Sequence, residues 1–355
     1  MTSTQFSSLA DLARLPWFEA YGERVVVSDP SVGPVIDLHT HVALSYLLPP
    51  SVDLYADKPE AEHYLPACCA MDLDVYANRN FSEERWTEMS KDMVFNAMRK
   101  GGIRATHTVP NLIREMDELG IERSCLLPID FPVFSDNAKN ATEAQRRQSR
   151  IIAFGSVHPY APRAKERLED QMNAGISGVK VHPNIQCVRP DAERAIELYK
   201  LCGARKIPIL WHCGPVGREP ALGRYLTQVK WYEKPIALCP ETTFILGHAG
   251  ALQCDEAIRL HNKYPNVFLE LSCISLSQMR DVFAKCDPTR LVFGSDWPFY
   301  SAAMPLAKVL IASEGKPKLR SQVLHENARR LLRLDGATFG AAVSAPVAGL
   351  RHAVA

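Results

Sequence analysis

Apolar positions along this chain gather into short runs. Eight recur: VIDLH (35–39), SCLLPI (124–129), IIAFGSV (151–157), ISGVKV (176–181), IPILW (207–211), TFILG (243–247), VFLEL (267–271) and LVFGS (291–295). Most lack a clean period of two, as expected of strands buried on both faces. Between them the period lengthens. VPNLIREMDELG is amphipathic and stops on a glycine; RPDAERAIELYKLCGARK opens on Pro-Asp and sets Ala195, Leu198 and Leu201 at helical spacing; ALQCDEAIRLHNKYP closes before a proline. Strand and helix in alternation predict a mostly parallel sheet. Eight such units favour a closed (β/α)8 barrel over an open doubly wound sheet. No GxGxxG or GxxxxGK[ST] follows an early strand, which lowers the nucleotide-binding alternative.

One segment breaks the rhythm. Residues 42–110 separate the first run from its helix and are rich in aromatic, proline and acidic residues. A long insertion after a barrel strand lies on the face where chemistry happens, so it reads as a lid or substrate cap, or as an oligomer contact, and the two are compatible. The expected organisation is an N-terminal extension (1–34), a barrel (35–335) and an Ala/Gly/Val-rich flexible tail (336–355).

Composition changes this picture little. The 355 residues carry a net charge of +1, which implies no bulk attraction to nucleic acid or an acidic membrane. No run approaches the ~20 apolar residues of a membrane span, and the N-terminus lacks the basic start and apolar core of a signal peptide. Ten scattered cysteines without a CxxC pair point to free thiols in a reducing cytoplasm.

The chemistry lies in the histidines. There are eleven, and His39, His41, His158, His182, His212 and His248 sit at or just beyond an apolar run. In a barrel the C-terminal strand ends form one ring around a shared pocket, so residues far apart in sequence meet there. His39 and His41, two apart on a strand, face the same way, and two neutral imidazoles converging on one point suit a divalent metal. Asp296, ending the eighth run, adds a hard oxygen ligand and a group able to accept a proton from water; its alternative is a helix N-cap. Lys180 and His182 share a face in GVKVHP. A lysine within a strand needs a partner, because burying an ammonium is costly. It could pair with Asp296 or a substrate carboxylate, carry a carbamate between two metals, or snorkel.

The motifs DLHTH, GVKVHP, WHCG, LGHAG and FGSDWP, in that order, resemble the amidohydrolase superfamily, and most of all its amidohydrolase-2 branch of metal-dependent hydrolases and decarboxylases. The resemblance spans roughly 35–333, ending with HENARRLL. It implies a TIM barrel with metal held by His39, His41, His212 and Asp296. In single-metal members of the branch the residue corresponding to His248 contacts the reacting water or substrate. In two-metal members it binds the second ion, and a carboxylated lysine at the position of Lys180 bridges the pair. One ion is favoured here, two if Lys180 is carboxylated, with zinc ahead of manganese, iron and cobalt.

The function expected is hydrolysis of a small carbonyl compound (amide, lactone or ring-cleavage product) by metal-activated water, with Asp296, His248 and Lys180 as catalytic groups. Non-oxidative decarboxylation of an aromatic or enol acid is the closest rival, and a non-catalytic binding barrel the more distant one. A metal-free lactonase is a narrower alternative. Substrate contacts are expected from His182, Arg218, Trp297 and His158, and more weakly from Tyr46, Tyr64 and Tyr300. Cys213 reads as a packed thiol. The expected partner is a small-molecule substrate, with a homodimer suggested at family level only.

Overall fold

Parallel strands buried on both faces need a covering crossover between each pair, and this chain supplies seven in sequence, with an eighth helix after the last strand. The computed structural model describes residues 4–43, 52–94, 101–131 and 135–334. The barrel strands are β1 (Val35–Thr40), β2 (Ile121–Leu126), β3 (Ile151–Gly155), β4 (Gly178–Val181), β5 (Ile209–His212), β6 (Phe244–Gly247), β7 (Val267–Glu270) and β8 (Leu291–Val292). They pair in chain order from β1 to β8, parallel throughout. β1 and β8 meet beyond the short ladder of β8: Leu38 N–H donates to Phe293 O (3.0 Å), Asp296 N–H to His39 O (2.7 Å) and His41 N–H to Trp297 O (2.8 Å). The architecture is a TIM barrel.

The principal covering helices are α1 (Val109–Glu118), α2 (Asn137–Arg147), α3 (Ala164–Asn173), α4 (Glu193–Ala204), α5 (Glu233–Leu238), α6 (Cys254–Lys263), α7 (Leu276–Lys285) and α8 (Ala303–Ala312). Local chemistry sets their ends. Thr108 caps α1, with Pro110 in its first turn, and Ser275 with Gln278 forms a capping box on α7. Two elements depart from the sequence pattern. β2 begins at Ile121, three residues before its apolar run, because residues 121–123 already pair with β1. β8 spans only Leu291–Val292; beyond it Ser295 N–H donates to Asp37 Oδ1 (2.9 Å) and Asp296 N–H to His39 O (2.7 Å), holding the chain beside β1 without a regular ladder.

Inward residues Ile36, Leu38, Cys125, Leu127, Ile152, Phe154, Leu210, Ile245 and Val292 fill the barrel, joined by Ala328 and Leu332 of the C-terminal helix. Outward residues such as Val179, Ile209, Trp211 and Leu269 join the helices in the larger cluster. Each fully buried aliphatic side chain contributes about 1.5–3 kcal/mol. Phe6, Leu12 and Trp17 of the N-terminal extension belong to the same larger cluster. Its Gln5–Phe6 strand pairs antiparallel with Met71–Asp72 of the insertion.

The described part of the insertion lies across the loops after β7 and β8. Leu65 N–H donates to Phe299 O (2.8 Å), Tyr64 N–H to Pro298 O (3.3 Å) and Ala77 N–H to Cys273 O (2.8 Å). The expected flexible tail and Tyr46 lie outside the described residues. No described helix is long and apolar enough to cross a membrane.

Candidate active site

A fault in β1 positions the first two histidines. Asp37 pairs with Ser124 and Thr40 with Leu126, so three steps on β1 match two on β2. Ile36 and Leu38 face the barrel interior. Strict alternation would therefore turn His39 and His41 outward; the extra residue of the bulge re-aims both toward the axis. Gly294, just beyond β8, leaves the needed room. A Cβ there would lie 2.3 Å from Glu270 Oε1 and 2.8 Å from His39 Cβ.

Each inward imidazole is oriented by its far nitrogen. His39 Nδ1–H donates to Glu270 Oε2 (2.8 Å) and His41 Nδ1–H to Leu127 O (2.8 Å). His248 Nδ1–H donates to Ser272 Oγ (2.8 Å), whose hydroxyl donates onward to Glu270 Oε2 (3.0 Å). All three Nε2 atoms are thereby left as lone-pair donors. Asp296 Oδ1 lies 3.4 Å from His39 Nε2 and 3.4 Å from His41 Nε2. His39, His248 and Asp296 each offer a ligand atom within 4.8 Å of the others. His212 adjoins them, its Nδ1 3.1 Å from His248 Nε2.

Donors about 2.0–2.2 Å from a tetrahedral ion stand about 3.3–3.6 Å apart. The His–Asp separations match that spacing, and the tautomers are those a ligand set requires. These residues fit a divalent cation. Electrostatics agrees, because a metal-binding imidazole must be neutral. Burial, reinforced by Lys180, pushes His39 well below the ordinary histidine range, and His212 falls to about 3 for the same two reasons. Burial, with His212 as neighbour, also lowers His182 and His248.

Lys180, fully buried, places Nζ 2.9 Å from His39 Nε2. Burial lowers its pKa to about 8, against the opposing pull of Asp296 and Glu270. His182 stacks on His212 at 4.1 Å, and its Nδ1 accepts the Ile185 N–H (3.4 Å), leaving Nε2–H as a donor. The backbone is strained where these groups converge. His248, Cys273 and Asp296 all have positive φ (55°, 68° and 63°), a conformation costing non-glycine residues roughly 1–3 kcal/mol that persists only where surrounding bonds enforce it.

A family model for amidohydrolases matches residues 36–334. The chain belongs to the amidohydrolase-2 family. No curated protein matches the sequence. Among solved structures, an uncharacterised TIM-barrel protein from Bordetella bronchiseptica is similar at 18% identity and TM-score 0.57, covering 86% of this chain and 100% of its own. A 5-carboxyvanillate decarboxylase from Sphingomonas paucimobilis aligns at 14% identity and TM-score 0.56, over 84% of this chain and 99% of its own. A probable 2-pyrone-4,6-dicarboxylic acid hydrolase from Acinetobacter baumannii aligns at 13% and 0.53, over 84% and 99%. At these identities the likeness is one of fold.

Within this member of the family the structure brings His39, His41, Lys180, His182, His212, His248 and Asp296 together, and directs three expected contacts elsewhere. Arg218 does not offer a free guanidinium to the pocket mouth: Nη1 donates to Glu83 Oε1 (2.7 Å) and Nη2 to Phe81 O (3.0 Å), tying the β5 loop to the insertion. Trp297 does not wall the pocket. It is fully buried, and its Nε1–H donates to Glu115 Oε2 (2.8 Å). His158 has both ring nitrogens engaged, Nε2–H with Gln186 O (2.8 Å) and Nδ1 with the Tyr160 N–H (3.1 Å), so it braces the β3 and β4 loops. Tyr64 is buried in the insertion, its hydroxyl donating to Asp92 Oδ2 (2.9 Å), and Cys213 is fully buried.

Three residues escape the sequence reading: Glu270, Ser272 and Cys273. Glu270 had a visible signal, a carboxylate inside the apolar run VFLEL. Ser272 and Cys273, in the loop after β7, gain their place only from partners far away in sequence, His248 for the one and Asp296 and Tyr300 for the other.

Proposed function

We propose that this amidohydrolase is a metal-dependent hydrolase of a small carbonyl substrate: an amide, lactone or ring-cleavage product. The observation that carries the reading is Asp296 Oδ1, set 3.4 Å from each of two imidazole lone pairs. His39, His41 and Asp296 would hold the ion, zinc first; His248, whose ligand atom groups with those of His39 and Asp296, takes the place expected of His212, which adjoins it. A bound divalent ion supplies Lewis acidity, lowering the pKa of water and polarising a carbonyl oxygen. Asp296 Oδ1 takes the proton of the attacking water and returns it to the leaving group. Lys180 Nζ, inside the ring, donates to the oxygen on which charge develops, and its buried setting strengthens that hydrogen bond. His182 Nε2–H is a second donor for orienting the substrate.

Non-oxidative decarboxylation is the second reading, supported by the same Lys180. A buried amine beside the ligand set is placed to deliver a proton to carbon as carbon dioxide departs. The test is turnover of a panel of lactones, amides and aromatic acids in ¹⁸O-labelled water. Hydrolysis places one solvent oxygen in the product. Release of carbon dioxide with no label in the product replaces hydrolysis by decarboxylation. A purified protein that holds no divalent ion and gains none on dialysis overturns both.

A further inference from the structure

Asp296 divides its oxygens. Oδ1 faces the imidazoles, whereas Oδ2 accepts the thiol hydrogen of Cys273, with Sγ 3.3 Å away. The Cys273 sulfur is in turn bonded by the Tyr300 hydroxyl. Cys273 and Tyr300 are both buried. With its hydrogen committed to Asp296, the sulfur is the acceptor for the Tyr300 hydroxyl, which fixes the direction of the chain of bonds.

The backbone is built to hold this contact. Cys273 and Asp296 are both non-glycine residues at positive φ, 68° and 63°. Each is pinned on its carbonyl side, Cys273 O by Ala77 N–H (2.8 Å) and Asp296 O by Phe299 N–H (3.1 Å). Asp296 N–H also donates to His39 O (2.7 Å). Two left-handed residues on neighbouring loops, each aiming a side chain at the other, are costly unless the contact is used.

We propose that Cys273 is a positioning residue: its thiol, steered by Tyr300, fixes the rotation of the Asp296 carboxylate so that Oδ1 meets the ion. The insertion, whose Ala77 N–H holds Cys273 O, thereby helps set the metal site. This rests on the reading of Asp296 as a ligand. An outer partner of a ligating carboxylate is worth about 10–100-fold in metal affinity.

The test uses the full chain stripped of metal and titrated with Co²⁺ against a competing chelator. Affinity and the visible absorption of the bound ion are read for the parent, Cys273→Ala, Cys273→Ser, Tyr300→Phe and Asp296→Ala. Cys273→Ala is expected to weaken Co²⁺ binding about 10–100-fold and alter its spectrum, while Cys273→Ser, which keeps a donor, returns both toward the parent. Parent-like affinity and spectrum in Cys273→Ala overturn the proposal, as does equal weakening in the alanine and serine variants, which would make the role one of packing. If Cys273→Ala does not fold, Tyr300→Phe decides: weaker binding with an altered spectrum supports the proposal, and parent-like binding overturns it. Asp296→Ala separates the two levels. If it binds Co²⁺ as the parent does, the ligand assignment itself fails; if it alone loses binding, only the role of Cys273 fails.

Discussion

Replacing Glu270 by glutamine removes one charge and almost no volume, yet it should damage both the fold and the metal site. Glu270 is fully buried and accepts four hydrogen bonds. Oε2 receives His39 Nδ1–H (2.8 Å), His248 N–H (3.1 Å) and Ser272 Oγ–H (3.0 Å), and Oε1 receives Ser272 N–H (2.5 Å). Burial pushes its pKa up, but four donors and no acceptor favour the ionised form. Glutamine presents one acceptor and one NH2 group. Either orientation sets that NH2 against a donor, the Ser272 N–H on one side or the three groups around Oε2 on the other. Losing a hydrogen bond to a charged group costs about 1.5–3 kcal/mol, and an unsatisfied buried group about 1–3 kcal/mol more. The expected loss is about 2.5–6 kcal/mol, or several degrees in Tm for a chain of this length. His39 also loses the partner that fixes its tautomer, so metal affinity should fall about 10–100-fold. The assay is urea unfolding of the metal-free protein beside Zn²⁺ competition with a chromogenic chelator. A Glu270→Gln protein with the parent's unfolding midpoint and zinc affinity would refute this account of the carboxylate.

Other predictions follow from the same bonds. Trp297→Phe removes one of four donors to the buried Glu115 carboxylate, which also binds His63 Nε2, Ser301 Oγ and Ala302 N. A loss of about 1.5–3 kcal/mol is expected, and an unchanged urea midpoint would contradict it. Arg218→Ala should free the segment around Phe81–Glu83, so that limited proteolysis within residues 52–94 accelerates while metal stoichiometry holds. A raised KM for a carboxylate substrate, with the insertion still protected, would instead return Arg218 to the pocket. Burial lifts Asp130 from 3.8 to about 6. The folded state therefore holds its proton more tightly than the unfolded state, and stability contributed by the protonated form disappears as pH rises from about 4 through about 6. The stability of the parent relative to Asp130→Asn should therefore fall by up to about 3 kcal/mol between pH 3 and pH 8, on top of a pH-independent cost of setting an amide against the Asn137 and Ala138 N–H groups; chemical denaturation at the two pH values checks the difference.

Much of this protein was legible in one dimension. Eight apolar runs with helical spacers named the barrel, because burial on both faces leaves its mark in every residue of a strand. The order of DLHTH, GVKVHP, WHCG, LGHAG and FGSDWP placed seven polar side chains at one end of that barrel, since strand direction fixes which end a C-terminal residue occupies. Less was legible where a residue's role depends on a neighbour far away in sequence. Arg218 and Trp297 follow site strands closely and could have faced the pocket. Glu83 and Glu115, 135 and 182 residues earlier in the chain, claim them instead.

The sequence by itself therefore determined the strand count, the end of the barrel at which the polar side chains gather and their donor types, because these follow from local periodicity and chain direction. Only the tertiary structure decided which nitrogen of each histidine faces the centre, that a bulge between Asp37 and Thr40 turns His39 and His41 inward, and that Glu270 and Cys273 steer the residues in front of them. Hydrogen-bond partners across strands are set by register and packing, and neither is written in the local pattern of any one segment.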